Sequence, residues 1–158
     1  MKYLKKFEND IVLYYPNNKL TTLKGLDIPK YVDGDFECDG NNLTSLEFGP
    51  EYVGGKFDCT GNKLKSLNFC PDFVGGGFEC GDNNWTKPIP YETIKKYNID
   101  TGVLYNHEQY ERFSTYEYQK KYLTESPEKY LDLLPFGFGS KIKEEFDWLF
   151  NAIDMKLM

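Results

Sequence analysis

The sequence has one histidine, His107, and that scarcity removes most schemes that rely on imidazole for metal binding or acid–base chemistry. No apolar run approaches the roughly 20 residues that a membrane helix needs, so no membrane partner is expected. Bases are outnumbered: 19 Lys and Arg face 25 Asp and Glu, for a formal net charge of −6. A general nucleic-acid binder needs a basic face to displace counterions, which argues against direct nucleic-acid binding. The first residues, MKYLKKFENDI, lack the apolar stretch and small-residue cleavage site of a secretory leader, and a cytoplasmic location is expected. Cysteine is limited to four residues, none beyond Cys80. What is abundant is aromatic: 13 Tyr and 12 Phe in 158 residues, a length that fits one domain or one repeat array with a small cap. With 40% hydrophobic and 28% charged residues, the chain is neither disordered nor membrane-embedded.

A 21-residue step organises the first half. It relates Pro29, Pro50 and Pro71; Phe36, Phe57 and Phe78; Cys38, Cys59 and Cys80; Asn41, Asn62 and Asn83; and Leu43, Leu64 and Trp85. Five residue classes sharing one period near 20 point to stacked coils. The copies read PKYVDGDFECDGNNLTSLEFG, PEYVGGKFDCTGNKLKSLNFC and PDFVGGGFECGDNNWTK. A degenerate earlier copy, IVLYYPNNKLTTLKGLDI, puts Leu13 and Tyr15 in the Phe and Cys places, followed by Asn18, Leu20 and Leu23. Phe-x-Cys reads as a short strand with both side chains inward at period two. The Asn two residues before the next Leu bonds to backbone groups that the turn leaves unpaired. The Pro and the following Tyr/Phe-Val read as a convex return. Gly54-Gly55 and Gly75-Gly76 read as positive-φ corners.

This pattern follows the leucine-rich-repeat grammar L-x-x-L-x-L-x-x-N-x-L with Phe and Cys in two leucine places. Leu43-Thr44-Ser45-Leu46, Pro50, Val53-Gly54-Gly55, Phe57, Cys59 and Asn62 most closely resemble the short Cys- and Asn-rich leucine-rich-repeat proteins of tailed bacteriophages and some bacteria. The resemblance covers about residues 11 to 88. It implies an α+β protein: a short leucine-rich-repeat solenoid with a parallel β-sheet and a C-terminal helical cap. Residues 1–10 form the N-terminal cap, 11–88 the array and 89–158 the helical subdomain. A related group of bacterial effectors adds a large ubiquitin-ligase domain, for which the last 70 residues are too few.

After Pro88 the pattern turns helical. Pro90-Tyr91-Glu92-Thr93-Ile94 reads as a helix start, and Tyr110, Phe113, Tyr116 or Glu117, and Lys120 read as one helix over 106–123. Ser126-Pro127-Glu128 reads as an N-cap, an N1 proline and a first-turn acid. Ser140 is expected to cap a last helix with Ile142, Phe146, Leu149, Phe150 and Ile153 on one face. Residues 1–10, with Tyr3, Leu4 and Phe7, suit a helix turn or a first strand.

The candidate chemistry is thin. Zinc ligands pair within a few residues, not at 21, so Cys38, Cys59 and Cys80 read as buried, reduced core residues, and reduced thiols suit an intracellular compartment. A Cys70–His107 pair requires the cap to fold over the last copy, and no nucleophile motif surrounds either residue. Gly75-Gly76-Gly77 lacks the Gly-Lys-Ser/Thr of a nucleotide loop. Asp39-Gly40-Asn41-Asn42 lacks the distal glutamate of a calcium loop. No cofactor, metal or catalytic set is expected.

Charge is more informative. Residues 29–88 hold ten acids and five bases, so the acidity is densest in the copies. The outward strand places are Asp35, Glu37 and Asp39; Lys56, Asp58 and Thr60; and Gly77, Glu79 and Gly81, with Tyr14 at the matching place of the first copy. Like charges opposite one another in a sheet are destabilising, so a row Tyr14, Glu37, Asp58, Glu79 suggests binding as strongly as it suggests a solvated face. The expected function is a non-enzymatic protein–protein interaction module, phage-encoded, that binds or inhibits a host protein with a basic surface through Tyr14, Asp35, Glu37, Asp39, Asp58 and Glu79. The cap tyrosines Tyr116 and Tyr118 offer a weaker second surface. The alternatives are an acidic nucleic-acid mimic, a virion or structural component, and a small enzyme or enzyme regulator with chemistry in the cap.

Overall fold

The 21-residue step is also the step of the backbone pairing. The computed structural model describes residues 3–7, 10–15, 19–138, 140–147 and 149. The chain is α+β. Its strands are β1 (Tyr3–Phe7), β2 (Asp10–Tyr14), β3 (Tyr31–Val32), β4 (Phe36–Glu37), β5 (Tyr52–Val53), β6 (Phe57–Asp58), β7 (Phe73–Val74) and β8 (Phe78–Glu79). Helices α1 (Tyr91–Tyr97), α2 (Thr101–Leu104), α3 (His107–Ser114), α4 (Tyr116–Glu125) and α5 (Ser140–Glu145) follow, with a 3-10 helix over Pro127–Phe136 before α5.

Two sheets run through the copies. The larger has the order β1-β2-β4-β6-β8, and the smaller has the order β3-β5-β7. Phe36 pairs with Phe57 and Phe57 with Phe78, all parallel. In the smaller sheet Val32 pairs with Val53 and Val53 with Val74. The Tyr/Phe-Val segment is therefore a second set of strands rather than a plain return. Its branched and aromatic residues suit a pleated surface with one buried side. The N-terminal segment takes the strand form: β1 pairs antiparallel with β2, and β2 pairs parallel with β4.

Identical residues stack on identical residues in the interior. Rings of Tyr15, Phe36, Phe57, Phe78 and Tyr97 follow one another at centroid distances of 6.1, 5.8, 5.1 and 4.5 Å. Cys38, Cys59 and Cys80 are buried free thiols beside this stack. Burial pushes all three thiols up, away from the reactive thiolate form. Trp85 takes the last leucine place and is fully buried, and its indole N–H donates to Leu104 O at 3.0 Å. One compact unit thus runs through α1 and α2 to Asn106, past the end of the repeat at Pro88.

The asparagines join successive copies. Asn62 Oδ1 accepts from Leu43 N at 3.0 Å, while its Nδ2 donates to Cys38 O and Cys59 O, both at 3.0 Å. Asn41 and Asn83 repeat the arrangement with Leu20 and Leu64 as donors. Each buried amide satisfies backbone groups in two copies at once.

The glycine reading is corrected. Gly54, Gly55, Gly75 and Gly76 do not have positive φ; among the described residues the left-handed glycines are Gly25, Gly40, Gly61 and Gly137. What the paired glycines supply is close approach. A Cβ on Gly54 would lie 2.2 Å from Asp33 O, and one on Gly75 would lie 2.3 Å from Gly54 O. The backbones of successive copies touch there, and only hydrogen fits.

Residues His107 to Met158 form a second compact unit. The helix expected over 106–123 is two helices, because the Thr115 hydroxyl accepts from Tyr118 N and starts α4 afresh. Ser126 is not a side-chain cap. Its N–H donates to Tyr122 O, closing α4, and its carbonyl receives Lys129 N to open the 3-10 helix. Phe113, Leu123, Leu133, Ile142, Phe146 and Leu149 form the buried core of this unit. Phe150 and Ile153 lie outside the described residues.

Candidate functional site

The backbone register of the larger sheet brings the sequence-predicted row Tyr14, Glu37, Asp58 and Glu79 into line. Tyr14 pairs with Glu37, Glu37 with Asp58 and Asp58 with Glu79. Their environments differ along that line. Glu37 is half-buried, Asp58 is buried with 8% exposed, and Glu79 is exposed.

Strand alternation predicts Asp58 as an outward, partner-binding carboxylate. It is instead enclosed by its own strand neighbours. Its Oδ1 accepts from Thr60 N at 3.0 Å, and its Oδ2 lies 3.0 Å from Lys56 Nζ. The same ammonium lies 3.0 Å from Glu79 Oε2. Lys56 stands two residues before Asp58, so both side chains leave the same side of the sheet. One lysine therefore bridges two of the three row carboxylates and relieves the repulsion that their register creates.

The proton affinities follow this geometry. Burial pushes the Asp58 carboxyl up, but the Thr60 N–H and the Lys56 ammonium outweigh it and hold the carboxyl below its usual range. Glu37 is shifted the other way, up: burial comes first, Lys56 opposes it, and Asp58, Asp39 and Asp35 add to it. Burial alone would lower the Lys56 ammonium, but its bonds to Asp58 and Glu79 raise it.

Asp35 is tied into the stack: its Oδ1 accepts from Lys56 N at 2.6 Å. Gly55 leaves room for that carboxylate, since a Cβ there would lie 2.1 Å from Asp35 Oδ1. Asp39 is half-buried beside the Asn41 turn. The face thus divides into the anchored acids Asp35 and Asp58, the exposed Glu79, which shares Lys56 with Asp58, and the half-buried Glu37 and Asp39.

Beside Glu79 lies a cavity of about 370 Å³ that sequence reasoning did not foresee. Its lining includes Glu79, Asp82, Asp100, Val103 and Leu104, and no base. Asp100 comes from the N-cap of α2, where its Oδ1 accepts from Gly102 N at 2.8 Å. The signal was the Asp-x-Gly start of a short helix, which no repeat position announces.

The cap tyrosines are engaged within their own unit. Tyr116 donates to Glu145 Oε2 at 2.6 Å, and Lys141 Nζ lies 3.9 Å from its ring centroid. Tyr118 is half-buried against Phe113 and stacks on Tyr122. His107 is an exposed surface residue, its Nε2 3.2 Å from Glu111 Oε1. The Cys70 thiol lies 3.6 Å from Tyr97 Oη, and burial raises its pKa. Among the described residues no group of three or more His, Cys, Asp or Glu is arranged to hold a metal ion, and no helix is long and apolar enough to cross a membrane. No protein-family model, no curated protein and no solved structure matches the chain.

Proposed function

We propose that the chain is a leucine-rich-repeat solenoid that acts as a non-enzymatic protein-interaction module. It is phage-encoded, works in the host cytoplasm and binds, and thereby inhibits, a host protein with a basic surface. The observation that carries this reading is the in-register face on which Glu37, Asp39 and Glu79 keep carboxylates toward solvent, continued by the base-free cavity beside Glu79. Strand register fixes Glu37 and Glu79 in one line, with Asp39 two residues beyond Glu37, and complementary charge accelerates encounter with a basic partner. Lys56 in the middle of the row counts against the nucleic-acid mimic, because an imitation of phosphates gains nothing from a bridging ammonium.

Affinity capture from bacterial lysate tests the proposal with the natural chain and a Glu37→Lys/Glu79→Lys variant. Asp58 is left in place because its burial makes its reversal a folding change. The natural chain should retain a stoichiometric partner whose association slows with added salt, and the variant should lose it. A folded variant that keeps the partner at full affinity refutes the acidic face as the binding surface.

A further inference from the structure

Two phenylalanines sit where the backbone favours glycine. Three successive turns close with equivalent bonds: Leu26 N to Leu23 O, Gly49 N to Leu46 O and Cys70 N to Leu67 O. The third residue of each turn has positive φ: Gly25 at 81°, Phe48 at 71° and Phe69 at 64°. Glycine adopts this conformation freely, whereas a bulky side chain is strained in it. Much of each ring nevertheless stays in solvent, since Phe48 is 50% and Phe69 63% exposed. Strained, half-exposed rings thus recur in two successive copies, and such strain gathers at binding sites.

The rings flank a groove of about 560 Å³ whose floor includes Leu23, Ile28, Leu46 and Pro50. Asp27, Lys30, Glu51 and Asp72 also line it. Lys30 is bonded to Glu51 at 2.5 Å, while Asp27 and Asp72 have no basic partner among the described residues. Asp27 follows the first of the three turns and Asp72 follows the third, so the groove takes a carboxylate from its first copy and another from its last. Lys24 Nζ already lies 5.8 Å from the Phe48 ring centroid, an arrangement that suits a cation over an aromatic face. A second copy of this acidic chain would bring carboxylates against carboxylates, whereas a basic segment complements them.

We infer that this groove is a second docking surface, for a peptide segment that places apolar side chains between Phe48 and Phe69 and lysine or arginine side chains against Asp27 and Asp72. It shares no residue with the acidic face of the larger sheet and stands independently of it.

Amide chemical shifts of the isotope-labelled full chain test it, with the peptides Gly-Lys-Leu-Leu-Lys-Gly and Gly-Glu-Leu-Leu-Glu-Gly as probes. The basic peptide should move the amides of Gly25, Phe48, Phe69 and Asp72, and the acidic peptide should not. A Phe48→Asn/Phe69→Asn variant, which keeps residues that tolerate positive φ, should bind the basic peptide about fivefold or more weakly. An Asp27→Asn/Asp72→Asn variant should weaken it similarly and flatten its salt dependence. Absence of shifts, or equal shifts with both peptides, overturns the inference. Shifts confined to Glu37 and Glu79 overturn the groove while leaving the acidic face standing. A dimer by light scattering that the Phe48→Asn/Phe69→Asn variant dissolves assigns the groove to a second copy and overturns the peptide.

Discussion

The same period that lines up carboxylates on one sheet lines up aromatic rings on the other. On the larger sheet the outward row is Glu37, Asp58 and Glu79; on the smaller it is Tyr31, Tyr52 and Phe73. The rings attract one another directly, at centroid distances of 6.0 and 4.8 Å, the second pair nearly parallel. The carboxylates repel, and the row persists because Lys56 breaks the repeat and bridges two of them. A repeat therefore multiplies whatever its outward residue does. Self-compatible side chains extend without help, while like charges require an exception in the pattern.

The comparison fails first if the two faces do not share one frame. Gly54 lies between β5 of the smaller sheet and β6 of the larger, and its N–H donates to Val32 O at 2.8 Å. Gly54→Ala forces a methyl to 2.2 Å from the Asp33 carbonyl. It should cost about 4 kcal/mol or prevent folding, because backbone rather than a flexible side chain must move. Asn62→Ala removes a buried amide that bonds four backbone groups and should cost about 3 kcal/mol. Urea unfolding measured by tyrosine fluorescence and by far-ultraviolet circular dichroism checks both. For Asn62→Ala, a loss under about 1 kcal/mol would mean that water replaces the amide and that the asparagine does not hold the copies together.

The next test separates the charged face from the aromatic one. Lys56→Met keeps the aliphatic stem and removes the bridge, leaving Asp58 buried with Thr60 N–H as its bond. The cost at neutral pH should be about 2 kcal/mol. The pH dependence supplies the sign. In the natural chain the folded Asp58 pKa lies below its unfolded value, so its contribution is complete above about pH 4 and is lost as pH falls through the folded pKa. Without Lys56, only the Thr60 bonds oppose burial, and the folded pKa moves up from its value in the natural chain. The variant's deficit should then be largest at neutral pH and shrink toward about pH 4, as Asp58 protonates in the fold. Stability curves taken from pH 7 to pH 4 should converge, and parallel curves would show that Lys56 acts by packing alone.

Much of this was legible because the period fixes neighbours without any coordinates. Phe36 over Phe57 over Phe78, the buried thiols and the asparagine bonds all follow from equal spacing. The glycine pairs misled because a doublet suits either a left-handed corner or a close backbone contact. The clue was Asp33, which fills the Gly54 place in the preceding copy and would be strained at a positive-φ corner. Asp58 misled because strand alternation gives a direction, not an environment. Its burial depends on Lys56 two residues earlier, at a place occupied by Asp35 and Gly77 in the other copies. In the helical unit each contact occurs once, so nothing announced that Thr115 would divide one helical stretch into two, or that Gln119 Nε2 would bond Gly137 O at 2.8 Å.

The smallest expected effect has an unusual sign and bears on the strained corners between the two faces. Phe69 is 63% exposed at φ 64°, in a turn whose first member carries Gly25. A left-handed residue with a bulky side chain is strained by roughly 1–2 kcal/mol, whereas asparagine tolerates the region and does not add the unfolded-state entropy of glycine. Losing a largely solvated ring removes only part of its apolar contact. Phe69→Asn should therefore raise stability by about 0.5 kcal/mol, where most substitutions lower it. Thermal and urea unfolding of the single variant beside Phe48→Asn provide the measurement. A gain at both corners would mean that the phenylalanines are kept against stability, as a binding role requires. A loss above about 1 kcal/mol at either would mean that the ring packs in the fold and that its exposure overstates its freedom.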